Sequence, residues 1–129
     1  MGLAKPVTAW LKMSEMTEKA QTAYRFYAIV PVGEVLEGER LFFELEGQPI
    51  VLFSIKNVFY ATGDVCSHDG GDIGQGELEG FEIICPRHGA RFDIRTGRVL
   101  QLPAVKDIPH YPVRVNENGF LEVGIPTEN

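Results

Sequence analysis

Two short stretches of this 129-residue chain hold side chains suited to binding a metal: "CSHDGGD", starting at Cys66, and "CPRHGARFD", starting at Cys85. Cys66 and His68 are two apart, Cys85 and His88 are three apart, and sixteen residues separate the two pairs. Together they take up both cysteines of the chain and two of its three histidines. A lone histidine in a turn usually does no more than fill the turn. That reading fits poorly when each histidine trails one of only two cysteines. Thiolates and imidazoles are ligands of zinc and of iron–sulfur centres, so the four residues are candidates for one shared metal site.

Structural zinc sites commonly pair Cys with Cys and His with His, at C-x₂₋₄-C and H-x₃₋₅-H spacing. Here each motif supplies one thiolate and one imidazole. Zinc accepts two of each, so a zinc-stabilised interaction module stays open. A [2Fe–2S] cluster needs four protein ligands, two per iron, and can carry two histidines on one of its irons. The mixed pairs suit it, each loop giving one ligand to each iron. Neutral imidazoles leave such a centre less negative than an all-cysteine one, so it accepts an electron more readily. Gly70, Gly71 and Gly89 are expected to let backbone N–H groups approach the sulfurs.

No catalytic constellation accompanies the pairs. Ser67 beside His68 lacks an orienting acid in any recognisable motif. Asp69, Asp72, Glu77 and Glu79 do not match the EF-hand pattern and read as a solvated face. Arg87, Arg91, Arg95 and Arg98 cluster near the second pair, where they either meet an acidic partner or balance nearby carboxylates. His110, in "DIPHYPV", reads as a surface or packing residue.

The surrounding chain must position the pairs. With 44% apolar residues it can bury a small core, and its length suits about one domain. A net charge of −6 disfavours nucleic acid and an anionic membrane. It suits steering toward a basic patch on a protein, or plain solubility. No apolar run approaches the ~18 residues of a membrane span. The first residues lack a long apolar region and a twin-arginine pair. A cytoplasmic location with reduced thiols is therefore expected.

Residues 1–22 are rich in helix formers and read as an extension with a short helix. Residues 23–126 read as one β domain. "YRFYAIV", "RLFFEL", "PIVLFSI", "NVFYAT", "YPVRV" and "FLEVGI" are strand-like, with turn signals at Glu46-Gly47-Gln48 and at "NENG". Short strands and almost no helix predict an all-β sandwich or barrel-like domain. The two Cys–His stretches are turn-rich. A hairpin through Phe81 to Cys85 would bring them side by side.

On these residues the chain resembles the Rieske family over nearly all of residues 24–125. The motif "CSH…CPRHG", the "LEG" before the second pair and the "RTGRV" after it carry the resemblance. It implies antiparallel sheets with a small cluster-binding subdomain, and one [2Fe–2S] cluster. Cys66 and Cys85 would ligate one iron, and His68 and His88 the other. "LPAV", residues 102–105, looks like the family's third loop, which covers the cluster. Quinol-oxidising members carry an additional disulfide and two hydroxyl side chains near the cluster. The matching positions are Gly71 and Arg87 for the disulfide, and Ala90 and Phe92 for the hydroxyls. The chain therefore looks like a low-potential Rieske ferredoxin: a soluble one-electron carrier, not an enzyme, working between a flavin reductase and a terminal oxygenase. Another reductase or an iron–sulfur assembly system is the alternative context.

Overall fold

The computed structural model describes residues 23–127. The helix expected within residues 1–22 lies outside them. The chain divides into two compact units, of which the larger runs from Phe26 to Gly124. In the smaller, the Thr127 amide donates to the Ala23 carbonyl at 2.8 Å.

Eleven strands form three sheets among the described residues, and every pairing given below is antiparallel. β1 is Tyr24–Pro31, followed by a 3-10 turn at Val32–Glu34. β2 (Arg40–Leu45), β3 (Gln48–Ile55) and β4 (Val58–Gly63) form a meander. Its centre is β3, where Ile50, Val51, Leu52, Phe53 and Ser54 are all buried in an unbroken run. A strand covered on both faces reads this way, without alternation.

Turn chemistry sets the register of the meander. Leu45 pairs with Gln48, so Glu46 and Gly47 form a two-residue turn with φ of 52° and 79°. Ile55 pairs with Val58 across Lys56 and Asn57, whose φ values are 53° and 67°. Paired positive φ values belong to the hairpin turn that matches strand twist. Asn57, expected at the head of a strand, therefore belongs to the turn, and asparagine tolerates that conformation.

The second four-stranded sheet holds β5 (Leu78–Glu79), β6 (Glu82–Ile84), β7 (Arg91–Asp93) and β8 (Val99–Gln101) in that order. Of these, β7 falls in a stretch that reads as turn-rich, and the residue pattern marks no strand at β8. Each is three residues long and flanked by charged or turn residues, too short to show a period of two. β9 (His110–Tyr111) joins β4. β10 (Val113–Val115) pairs with β11 (Phe120–Pro126), and the third sheet runs β1-β11-β10. "YPVRV", expected as one strand, is thus split at Pro112, which has no N–H to donate to a ladder. The all-β antiparallel expectation is met. Among the described residues no helix is long and apolar enough to cross a membrane.

One buried cluster joins the two four-stranded sheets: Val51 and Phe53 from β3, Ile83 from β6 and Phe92 from β7. Cys66, Cys85, Ala90, Ala104 and Ile108 belong to the same cluster. Both cysteines are therefore held by the core itself.

Candidate metal centre

The two motif loops close in the same way. In the first, the Cys66 amide donates to the Gly71 carbonyl at 2.7 Å, and the Gly70 amide returns to the Cys66 carbonyl at 2.7 Å. In the second, Cys85 donates to Ala90 at 2.8 Å, and Gly89 returns to Cys85 at 3.0 Å. Gly70 and Gly89 sit at matching points with φ of 78° and 79°, a conformation that favours glycine. The loops are thus two copies of one six-residue turn. His68 is third in its copy and His88 fourth, so Asp69 holds the place in the first loop that His88 holds in the second.

This repeat puts like with like. Cys66 and Cys85 are free thiols with 0% and 1% exposure. Their sulfurs lie within 4.8 Å of each other. His68 and His88 are less deeply placed, with ring centroids 5.3 Å apart and planes at 89°. The loops thus bring together two buried thiols and, nearer the surface, two exposed imidazoles. Burial pushes the Cys66 thiol up, the amides of His68 and Asp69 pull it down, and nearby Cys85 adds to the rise. Two adjacent buried thiolates repel, and a bound cation reverses that penalty. The donor set therefore fits a metal centre with soft ligands inside and imidazoles outside.

The amides aimed at the Cys66 sulfur come from His68 and Asp69. Gly70 and Gly89 close the turns, and the Gly71 amide donates to Asp69 Oδ1 at 2.9 Å. An Asp69 carboxylate oxygen also lies within 4.8 Å of both sulfurs. It is already committed, since Arg87 Nε donates to Oδ2 and Nη2 to Oδ1. Asp69 stays well below the usual carboxylate range, chiefly because of the Arg87 guanidinium and then the Gly71 amide.

Three of the four clustered arginines balance nearby carboxylates. Arg87 pairs with Asp69, Arg91 with Glu79 and Glu82, and Arg95 with Asp93. Ser67 is a strap: its hydroxyl donates to the Lys106 carbonyl at 2.5 Å. Gln101 Nε2 donates to the Gly89 carbonyl at 3.1 Å. The segment between them, which contains "LPAV", is thereby pinned to both motif loops. Its Ala104 is buried with the cysteines, while Leu102 and Val105 are 70% and 74% exposed. His110 is exposed on β9, outside both loops.

Behind the first loop, two further side chains hold its far end. Asp64 Oδ1 accepts from the amides of Ile73 and Gly74 at 3.0 and 2.6 Å. Arg40 Nη1 donates to the carbonyls of Gly74 and Gly76 at 2.5 and 2.6 Å. Arg40 carries no sequence signal, because it matters only once β2 and the loop are side by side, whereas Asp64 bonds to amides nine and ten residues further along its own stretch.

The model of the Rieske [2Fe–2S] domain matches residues 25–112. The ferredoxin component of the naphthalene 1,2-dioxygenase system of Pseudomonas putida is 38% identical over 86 residues, covering 67% of this chain and 83% of the relative. The ferredoxin subunit of the 3-phenylpropionate/cinnamic acid dioxygenase of Escherichia coli K12 is 39% identical over 104 residues, covering 79% and 94%. Among solved structures, a chain of the complex of reduced oxygenase and oxidized ferredoxin in carbazole 1,9a-dioxygenase matches with a TM-score of 0.69 at 27% identity, covering 76% of this chain and 91% of that one. The chain belongs to the Rieske [2Fe–2S] family. Its cofactor is a [2Fe–2S] cluster, and its role is that of an electron-carrying ferredoxin rather than a catalyst.

Proposed function

We propose that Cys66 and Cys85 hold the inner iron and His68 and His88 the outer iron, and that residues 23–126 work as one cluster-binding domain. The observation that carries this is the repeated turn, which sets two thiols together in the core and two imidazoles together nearer the surface. Bound there, the cluster would take up and release one electron at a time. The chain's own contribution is to keep water from the thiols, to fix the imidazole edges and to leave those edges accessible.

The protein passes electrons from a reductase to the terminal oxygenase of a ring-hydroxylating dioxygenase system, in the cytoplasm. Support comes from relatives named as ferredoxin components of such systems and from the oxygenase–ferredoxin complex among similar structures. Free cysteines suit a reducing compartment. The partner docks over His68 and His88, with Leu102 and Val105 as an apolar rim.

Metal and acid-labile sulfide analysis of anaerobically purified protein tests the ligand reading. About two iron and two sulfide per chain are expected. Zinc without sulfide would falsify it and favour a zinc-stabilised module. Reduction of purified terminal oxygenases by the chemically reduced protein tests the partner.

A further inference from the structure

Asp69 and Arg87 meet as a fork across the two motif loops. Arg87 Nε reaches Asp69 Oδ2 at 2.7 Å, and Nη2 reaches Oδ1 at 2.9 Å. The remaining nitrogen, Nη1, donates to the backbone carbonyl of Asp72 at 2.9 Å. One side chain of the second loop thus holds three acceptors on the first. Bidentate arginine–carboxylate pairs are geometrically specific, which a lysine cannot reproduce.

Gly71 makes room for the fork. A Cβ at that position would lie 2.7 Å from Arg87 Cζ and 2.7 Å from Nη2. Gly71 is not among the glycines with positive φ, so its backbone does not demand glycine. What needs the space is the guanidinium. The location also matters electrically. Asp69 stands at the turn position that matches His88, and its Oδ2 lies 3.5 Å from His88 Nδ1. Unbalanced, that carboxylate would place a full negative charge beside the imidazole pair and oppose the arrival of an electron.

We propose that Arg87 is a positioning residue: its fork onto Asp69, seated on Gly71, latches the first loop to the second and cancels the carboxylate's charge beside His88. This rests on the ligand reading above, and the two are separable. Four variants test it: Arg87→Gln, Asp69→Asn, the double substitution and Gly71→Ala. Each is measured for reduction potential by film voltammetry and for the rate of cluster bleaching under chelator.

Arg87→Gln should lower the potential and Asp69→Asn should raise it, with the double variant returning close to wild type. All three should bleach several-fold faster than wild type. Gly71→Ala keeps both charges but unseats the fork, so it should bleach faster with little change in potential. Shifts of the same sign in the two single variants overturn the proposal, as do wild-type potentials and bleaching rates throughout. If Arg87→Gln assembles no cluster, Asp69→Asn and Gly71→Ala decide it. An upward shift in the first with faster loss in the second supports the latch, and any other pairing overturns it. Zinc without sulfide in the wild-type protein strikes the ligand reading instead. The latch is then judged by whether Arg87→Gln and Gly71→Ala release zinc faster than wild type.

Discussion

The rings of His68 and His88 meet edge to face, 5.3 Å between centroids, although one follows its cysteine by two residues and the other by three. Both loops close with the same pair of backbone bonds, so the offset comes from the side-chain positions and not from different turns. Opposed copies of one turn bring the third position of one beside the fourth position of the other. The unequal spacing in the sequence is how the two imidazoles come to stand together.

Burial separates the two ligand types energetically. Cys85 is 1% exposed, whereas the His88 side chain is 55% exposed. Cys85→Ser and His88→Ala should each abolish the intact cluster. As metal-free proteins they should differ: a serine hydroxyl left unsatisfied in the core costs about 1–3 kcal/mol, while trimming an exposed ring costs little. Urea unfolding of the two apoproteins checks this. Equal stabilities would mean that the core does not depend on the thiol at position 85.

Gly76 sets how closely the first loop approaches the strand that leads into Cys85. A Cβ there would lie 2.0 Å from the Ile84 carbonyl oxygen, with no flexible side chain to give way. Gly76→Ala should therefore force β6 and the loop apart. Overpacking of this kind costs about 1–3 kcal/mol, or a fall in Tm of roughly 4–8 °C per kcal/mol for a domain of this size. Calorimetry tests the stability, and weaker iron retention should accompany it. An alanine variant with wild-type Tm would show that the contact relaxes freely.

The exposed rim gives a test of docking that leaves the cluster alone. Leu102 and Val105 project from a segment pinned to both loops, yet their side chains face solvent. Leu102→Glu puts a charge on the proposed docking rim, and burying it unpaired would be costly. The apparent KM of the oxygenase for this protein should rise at least several-fold, with absorbance and potential unchanged. An unaltered KM would move the docking face away from the third loop.

Much of this site is legible in the order of the amino acids. Two cysteines and two histidines in alternating order are scarce enough in composition to stand out. The β2–β3 hairpin is readable because Glu46-Gly47-Gln48 is a turn signal between two apolar runs, and Glu46 and Gly47 do adopt positive φ. What stays hidden is whatever depends on the loops facing each other. Asp69 and Arg87 lie eighteen residues apart, and nothing local in either marks them as partners. The basic cluster is likewise ambiguous in one dimension: Arg95 meets Asp93 two residues away, but only the fold brings Arg91 to carboxylates on β5 and β6. Gly70, Gly71 and Gly89 are the obvious turn residues, and Gly70 and Gly89 do close the two loops at positive φ. Which amides face the Cys66 sulfur is equally hidden: they are those of His68 and Asp69.

Charge at the outer iron gives a signed prediction. Replacing the neutral imidazole of His88 by a thiolate adds one negative charge to the proposed ligand set. His₂Cys₂ centres lie at roughly −150 to +300 mV and plant-type all-cysteine centres near about −400 mV. His88→Cys should therefore lower the potential markedly in any molecules that keep a cluster. Redox titration of the intact fraction reads it. A potential equal to or above wild type would remove His88 from the ligand set.

Ala90 and Phe92 bear on where in that range the wild-type protein falls. Both are completely buried in the cluster of residues that contains Cys66 and Cys85, and neither carries a hydroxyl. A hydroxyl donating to a sulfur there would stabilise the more negative, reduced state more than the oxidised one. If that difference is about 1.4 kcal/mol, a one-electron couple rises by roughly 59 mV. Ala90→Ser and Phe92→Tyr should thus each raise the potential by tens of millivolts. Burial sharpens the test, because a hydroxyl with no water to turn to must find a protein or sulfur acceptor or cost about 1–3 kcal/mol of stability. Voltammetry and thermal unfolding therefore belong together. A raised potential with unchanged Tm marks a hydroxyl bonded to sulfur, and a lowered Tm with unchanged potential marks one left unsatisfied. If both variants keep the cluster, show an O–H···S contact crystallographically and still leave the potential in place, the missing hydroxyls do not account for a low potential in this protein.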